Sequence, residues 1–159
     1  MRKMLWFASL SVCSVLAFSC GSGSSGDSAG SSTTTTAATE APAAASTPQG
    51  VGPIKEVKLN SPLDQKLVAS GKSVYELKCA SCHKLSGEKL VGPGWKGVTD
   101  RRTPEWTMNF VMNTEEMLNI DTAAQKMLEE CMVRMPNQNL SEPDARSVLE
   151  FMLNNDGKK

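Results

Sequence analysis

Cys79-Ala80-Ser81-Cys82-His83 is the stretch on which the reading of this chain turns. Two thiols three positions apart, with an imidazole directly after the second, form the arrangement that attaches haem c. At the end of a helix such thiols project to one side and reach the two vinyl groups of one porphyrin. The adjacent imidazole then swings under the iron as proximal ligand. With five cysteines and one histidine in 159 residues, the pattern would arise by chance about once in a thousand chains of this composition. Three other uses of these residues stand beside it. A zinc site could draw on Cys79, Cys82, His83 and Cys131, but a histidine next to the second cysteine is poorly placed to reach the same tetrahedral ion. A thioredoxin-like redox pair needs a preceding strand and a βαβ setting, and neither is present. A plain disulfide suits an exported protein.

The single histidine limits what can face the haem from the other side, since a second imidazole is not available. The choices are a thioether, a lysine, water or nothing. Met135 lies 52 residues after His83 and is followed by Pro136, which biases it away from helical geometry and into an extended loop. A loop of that kind can present sulfur across a haem. Met132 is the competitor, close enough in sequence to substitute. Met108, Met112, Met117, Met127 and Met152 fall inside predicted helices and read as core packing. Cys131, left over, reads as a small buried residue, with a role as iron ligand or oxidation sensor the minor alternative.

Outward from the motif the pattern is helical throughout, with no alternating strand segments. Asp64 to Cys82 reads as the first helix, with Leu67, Tyr75 and Leu77 among its apolar positions. Thr103-Pro104-Glu105 is an N-cap, a first-turn proline and an early acid, opening a helix through Asn113. Thr114 to Asn119 is a short helical turn, and Asp121 caps a helix running to Val133. Ser141, Pro143 and Asp144 open the last helix, whose apolar positions Val148, Leu149, Phe151 and Met152 lead to Asn154. Gly87 to Gly97, rich in glycine and proline, is loop. The expected class is all-α.

The N-terminal third is of another kind. Arg2 and Lys3 precede an apolar run from Met4 to Phe18, a signal peptide too short to serve as a resident membrane helix. Its end, Ala17-Phe18-Ser19-Cys20, resembles a bacterial lipobox, although Phe18 replaces the usual small residue. Cys13 is a rival that would leave too little apolar length. The expected organisation is a lipoprotein signal peptide over 1–19, a lipidated Cys20 with a linker over 20–50, and a folded domain over 51–159. Every residue from 21 to 50 except Asp27, Glu40 and Gln49 is Gly, Ser, Thr, Ala or Pro, so no core can form there. As a coil it would reach about 30 Å. The chain is thus expected to be exported, to the periplasmic side of a bacterial membrane that holds its lipid.

The folded part resembles a class I monohaem cytochrome c over about residues 64 to 156. Cys79, Cys82 and His83 carry the likeness, with Met135-Pro136 ahead of the last helix. Gly71 and Tyr75 resemble the small-plus-aromatic face by which the family's first helix crosses its last, Val148 and Phe151 matching the other side. Val91-Gly92-Pro93 resembles the loop whose proline carbonyl accepts the proton of the proximal imidazole, so the likeness implies that Pro93 orients His83. It also implies that Trp95 covers the haem and donates to a propionate. The implied fold is a set of helices wrapped around one covalently attached haem c, preceded by a disordered linker. Leu90 to Trp106 and Met135 to Arg146 are further similar to small lipoprotein cytochromes found in nitrous-oxide reduction gene clusters.

Two filled axial positions leave no open coordination site, which favours electron transfer over catalysis and leaves no place for a small-molecule substrate. A haem enzyme or gas-binding sensor with a displaceable sixth ligand is the alternative, weakened by the lack of a distal acid-base group. Overall charge is balanced, with 17 Lys+Arg against 17 Asp+Glu, so nucleic acid is not an expected partner. The balance conceals an asymmetry. Lys72, Lys78, Lys84, Lys89, Lys96, Arg101 and Arg102 face three acids between residues 72 and 102, whereas Glu115, Glu116, Asp121, Glu129 and Glu130 face only Lys126 between 114 and 130. The expected partners are a redox donor and acceptor that dock through an acidic face, with salt-sensitive association.

Overall fold

Asp64 opens the first helix because its carboxylate accepts from the amides of Lys66 and Leu67, satisfying donors that the helix start leaves free. In this computed structural model, which describes residues 47–159, that helix is α1 (Gln65–Lys78). It is followed by α2 (Val98–Arg101), α3 (Pro104–Met112), α4 (Thr114–Ile120), α5 (Thr122–Cys131) and α6 (Glu142–Asn155). The all-α expectation holds: the described residues contain no strand, only an isolated bridge between His83 and Lys89. The signal peptide, Cys13, the lipobox with Cys20 and most of the linker lie outside the described residues.

Several boundaries differ from the sequence reading, each for a local reason. The first helix stops at Lys78, four residues early. Both Cys79 and Ala80 donate to the Tyr75 carbonyl, and Cys82 and His83 both donate to that of Cys79, which coils the haem motif into turns. Leu77 is 84% exposed, being well round the helix from the buried Gly71 and Tyr75. α5 ends at Cys131, two residues short of Val133, since Met132 adopts a left-handed conformation (φ 57°). The short α2 was not anticipated. Its four residues give too little periodicity to read.

α1 and α6 cross at Gly71. A β-carbon there would meet the Ser147 carbonyl oxygen and lie 2.5 Å from the Ser147 carbonyl carbon and 2.9 Å from Phe151 Cβ, so only glycine allows this approach. Tyr75 continues the contact, its ring 5.6 Å from that of Phe151. Val148, Leu149, Met152 and Leu153 on α6 complete the main core with Met108 and Val111 of α3. A second cluster of Trp106, Met117, Leu118 and Ala124 fills the angle between α3, α4 and α5. Met108, Met117 and Met152 are core residues as expected, while Met112 and Met127 are half-buried.

The segment before α1 is part of this fold, and it begins earlier than residue 51. Thr103 donates its hydroxyl to the Pro48 carbonyl, and the Asn109 amide donates to the Gln49 and Ile54 carbonyls at 2.8 and 2.9 Å. Asn109 Oδ1 accepts from the Ile54 amide in return, and Glu105 accepts from that of Val57. Residues 47–50, linker by composition, are therefore held on α3. Further along, the fully buried Glu150 of α6 accepts from the Asn60 side chain and the Asp64 amide, and pairs with Arg146. The segment is a strap laid over α3 and fastened to α6.

Candidate haem site

The turn after α1 delivers Cys79, Cys82 and His83 to the edge of a crevice bounded on its far side by α3, α5 and the loop between α5 and α6. A cavity of about 310 Å³ is lined by Cys79, His83, Trp95, Trp106, Phe110 and Met135 among others. A smaller one of about 90 Å³ lies beside Cys82, His83, Val91, Cys131 and Met135. His83 and Met135 thus border both spaces. Cys79 is buried, which pushes its thiol up to about 11 despite the lowering influence of Lys78, so the sulfur is held in its neutral form. All three described cysteines are free, so no disulfide competes for them.

His83 is aimed by the chain around it. Its Nδ1 lies 2.9 Å from the Pro93 carbonyl oxygen, which can only accept, so Nδ1 carries the proton and Nε2 keeps its lone pair. Gly92 makes this possible: a β-carbon there would strike Cε1 of the imidazole and stand 2.9 Å from both ring nitrogens. The Tyr75 hydroxyl donates to the His83 carbonyl at 2.7 Å and fixes the backbone of the same residue to α1. Trp95 packs behind, its ring 4.8 Å from Tyr75 and 5.9 Å from His83.

Across the crevice, Met135 is half-buried and lies outside any helix, directly ahead of Pro136. Met132, the competitor in sequence, is 85% exposed and lines neither space. Cys131 is half-buried, not buried as its type suggested, because it sits at the crevice side of the last turn of α5. Among the described residues no group of three or more His, Cys, Asp or Glu side chains converges as a metal site, which leaves the zinc reading without support.

Does the crevice fit haem c? Its chemistry matches in three respects. The walls are largely apolar, with Val98, Phe110, Val111, Leu140 and Met152. The two thiols and the free Nε2 lie at one side, with a thioether at the other. Among the described residues, two buried donors are left without partners, Trp106 Nε1 and Thr107 Oγ1, and both residues line the larger cavity. Unpaired buried donors are costly unless a ligand satisfies them. The Arg102 guanidinium lies 4.7 Å from the centre of the Trp106 ring, and Arg101 lines the same cavity. These are groups suited to two carboxylates. Sequence reasoning placed such a donor at Trp95, which lines the same cavity, and did not point to α3. The available signal was the spacing of Trp106 and Phe110, one helical turn apart and stacked at 4.9 Å.

Comparison with known proteins agrees. Residues 68–156 match the family model for cytochrome c. Among solved structures, a cytochrome c from Rhodothermus marinus is 31% identical with a TM-score of 0.64, covering 67% of this chain and 90% of its own. An engineered form of the Rhodothermus marinus protein is 30% identical at the same TM-score, covering 67% and 92%. The same engineered protein bound to a carbene intermediate has a TM-score of 0.61 at the same identity and coverage. No curated protein sequence matches. With the haem-attachment motif, the α1–α6 crossing and more than half of its length matched, this chain belongs to the cytochrome c family, has the class I fold and carries covalently bound haem c.

Proposed function

We propose that this protein is a membrane-tethered single-electron carrier on the periplasmic side, in which Cys79 and Cys82 would hold the haem through thioethers and His83 and Met135 would ligate its iron. The observation that carries the reading is the pairing of a free His83 Nε2, created by the Pro93 hydrogen bond, with the Met135 side chain bordering the same spaces. Haem c supplies a ferric–ferrous couple when bound. The chain supplies everything else. Pro93 holds the imidazole in one tautomer and enriches its donation. Trp106 Nε1, Thr107 and the two arginines would receive the propionates, and Trp95 with Phe110 would keep water from the ring. A soft thioether and an apolar pocket both favour the reduced state and raise the potential.

The surface supports docking of an acidic partner. The acids between residues 72 and 102 are all engaged: Glu76 with Lys72, Glu88 with Lys84, and Asp100 with Lys158. Among the described residues, Lys78, Lys89, Lys96, Arg101 and Arg102 have no carboxylate within ion-pair distance. Leu90, Val91 and Val133 are exposed near the mouth beside Cys82, an apolar rim suited to close contact with a redox protein. Lipid on Cys20 would hold the domain at its membrane. The narrower likeness seen in the sequence makes a nitrous-oxide reductase system the proposed destination of the electrons.

Spectra of the holoprotein matured in an export-competent host test the ligand set. We expect a low-spin haem with the thioether-to-ferric charge-transfer band, lost in Met135→Ala and kept in Met132→Ala. A high-spin ferric spectrum at neutral pH, or rapid peroxide turnover, would instead support a ligand-binding or catalytic haem.

A further inference from the structure

The loop that carries Met135 is held to the rest of the molecule in an unusual way. Among the described residues, no backbone-to-backbone hydrogen bond connects residues 133–140 with any other segment. Inside the loop, Gln138 donates to the Pro136 carbonyl and the Asn139 amide to the Asn137 side chain. The buried Leu140 anchors one end, and Arg134 reaches Asn119 at the other. Among the described residues, only one hydrogen bond from outside reaches the loop's backbone. Lys78 Nζ donates to the Gln138 carbonyl at 2.9 Å.

Lys78 is the last residue of α1 and the immediate neighbour of Cys79, so this bond spans from the haem-attachment side of the crevice to the side of Met135. Its ammonium is also one of the unpaired cations of the basic surplus. A carboxylate is a stronger acceptor for an ammonium than a carbonyl is. We propose that Lys78 is a positioning residue for Met135, and that an acidic partner competing for its ammonium loosens the hold on the thioether. Docking and the grip on the sixth ligand are then linked, each weakening the other. This rests on Met135 being the sixth ligand.

The test is imidazole binding to the ferric holoprotein, in which a ring nitrogen takes the place of the thioether sulfur and no electron changes hands. Loss of a hydrogen bond from a charged donor predicts roughly tenfold tighter imidazole binding in Lys78→Met. Lys78→Arg, which keeps a charged donor, should restore wild-type behaviour. Lys72→Met removes the same charge from an exposed site on α1 and should bind as wild type does. Polyglutamate, used as the acidic probe, should tighten imidazole binding to wild type and leave Lys78→Met unchanged. If Lys78→Met falls within about twofold of Lys72→Met while the wild-type charge-transfer band is present, the latch is overturned and the ligand assignment stands. Polyglutamate without effect on wild type overturns the link to docking. A wild-type spectrum without the band overturns the ligand assignment and the latch with it.

Discussion

Gly71→Ala sets two general rules against each other at one position. By helix propensity, alanine inside α1 should stabilise by up to about 1 kcal/mol. By packing, the new methyl would sit 2.5 Å from the Ser147 carbonyl carbon and 2.9 Å from Phe151 Cβ, with the Ser147 oxygen nearer still. Ordinary contact begins at 3.4 Å, so α1 and α6 would have to part by more than about 1 Å. The two nearest obstructing atoms belong to the Ser147 backbone, which cannot swing aside. Overpacking of this kind costs about 3 kcal/mol at the upper end of its usual range, which leaves a net loss of about 2 kcal/mol after the propensity gain. For a domain of this size that is a fall in Tm of roughly 8–16 °C. Thermal unfolding of the holoprotein followed by far-ultraviolet circular dichroism is the assay, with Ala69→Gly as the converse control. That position is exposed on the same helix and should lose up to about 1 kcal/mol through propensity alone. If Gly71→Ala melts at or above the wild-type temperature, the close crossing described here is wrong.

Three more perturbations have definite signs. Gly92→Ala pushes the His83 ring away from the Pro93 carbonyl, weakening imidazole donation. The reduction potential should rise by some tens of millivolts, about 59 mV being a tenfold change for one electron, and an unaltered potential would contradict the geometry. Glu150→Ala strips a buried acceptor from Asn60, Asp64 and Arg146 and should cost about 3–5 kcal/mol by urea titration, whereas a loss below about 1 kcal/mol would mean the strap is not fastened there. Burial alone would push the Asp156 carboxyl up, but hydrogen bonds from the Thr99 hydroxyl and amide and the Gly97 amide, helped by Arg101, hold it below its ordinary value. A carboxyl lowered on folding stabilises above its unfolded value, and that stability is lost as pH falls through the folded one. Stability should therefore drop less steeply in Asp156→Asn than in wild type between about pH 5 and 3, and parallel unfolding curves would exclude the effect.

The parts of this molecule legible in the sequence are those whose physics is local. Cys79, Cys82 and His83 lie within five residues, and the caps at Asp64, Thr103, Asp121 and Ser141 act within one helical turn, so both could be read directly. Gly71 and the Pro93 carbonyl were accessible only through likeness to a family, since their partners Ser147 and His83 are distant or lie across a loop. Composition misled at residues 47–50. Thr-Pro-Gln-Gly reads as linker, but it is pinned by Asn109, a polar side chain in the interior of α3 that leaves no trace in an apolar pattern. The roles suggested for Trp106, Thr107 and Lys78 depend on what each side chain faces in three dimensions. No spacing along the chain encodes that.

The strap has a mechanical consequence. A pull on the chain upstream of Thr47 enters the fold at Pro48 and Gln49 and is borne there by Thr103 and Asn109, then by Glu105, and last by Glu150. These attachments all lie ahead of Asp64, where α1 begins. The helix that leads to the two porphyrin-bearing sulfurs is thus shielded from load, as a cable clamp spares the solder joint behind it, and a domain tugged from its N-terminal side can keep its redox centre undistorted.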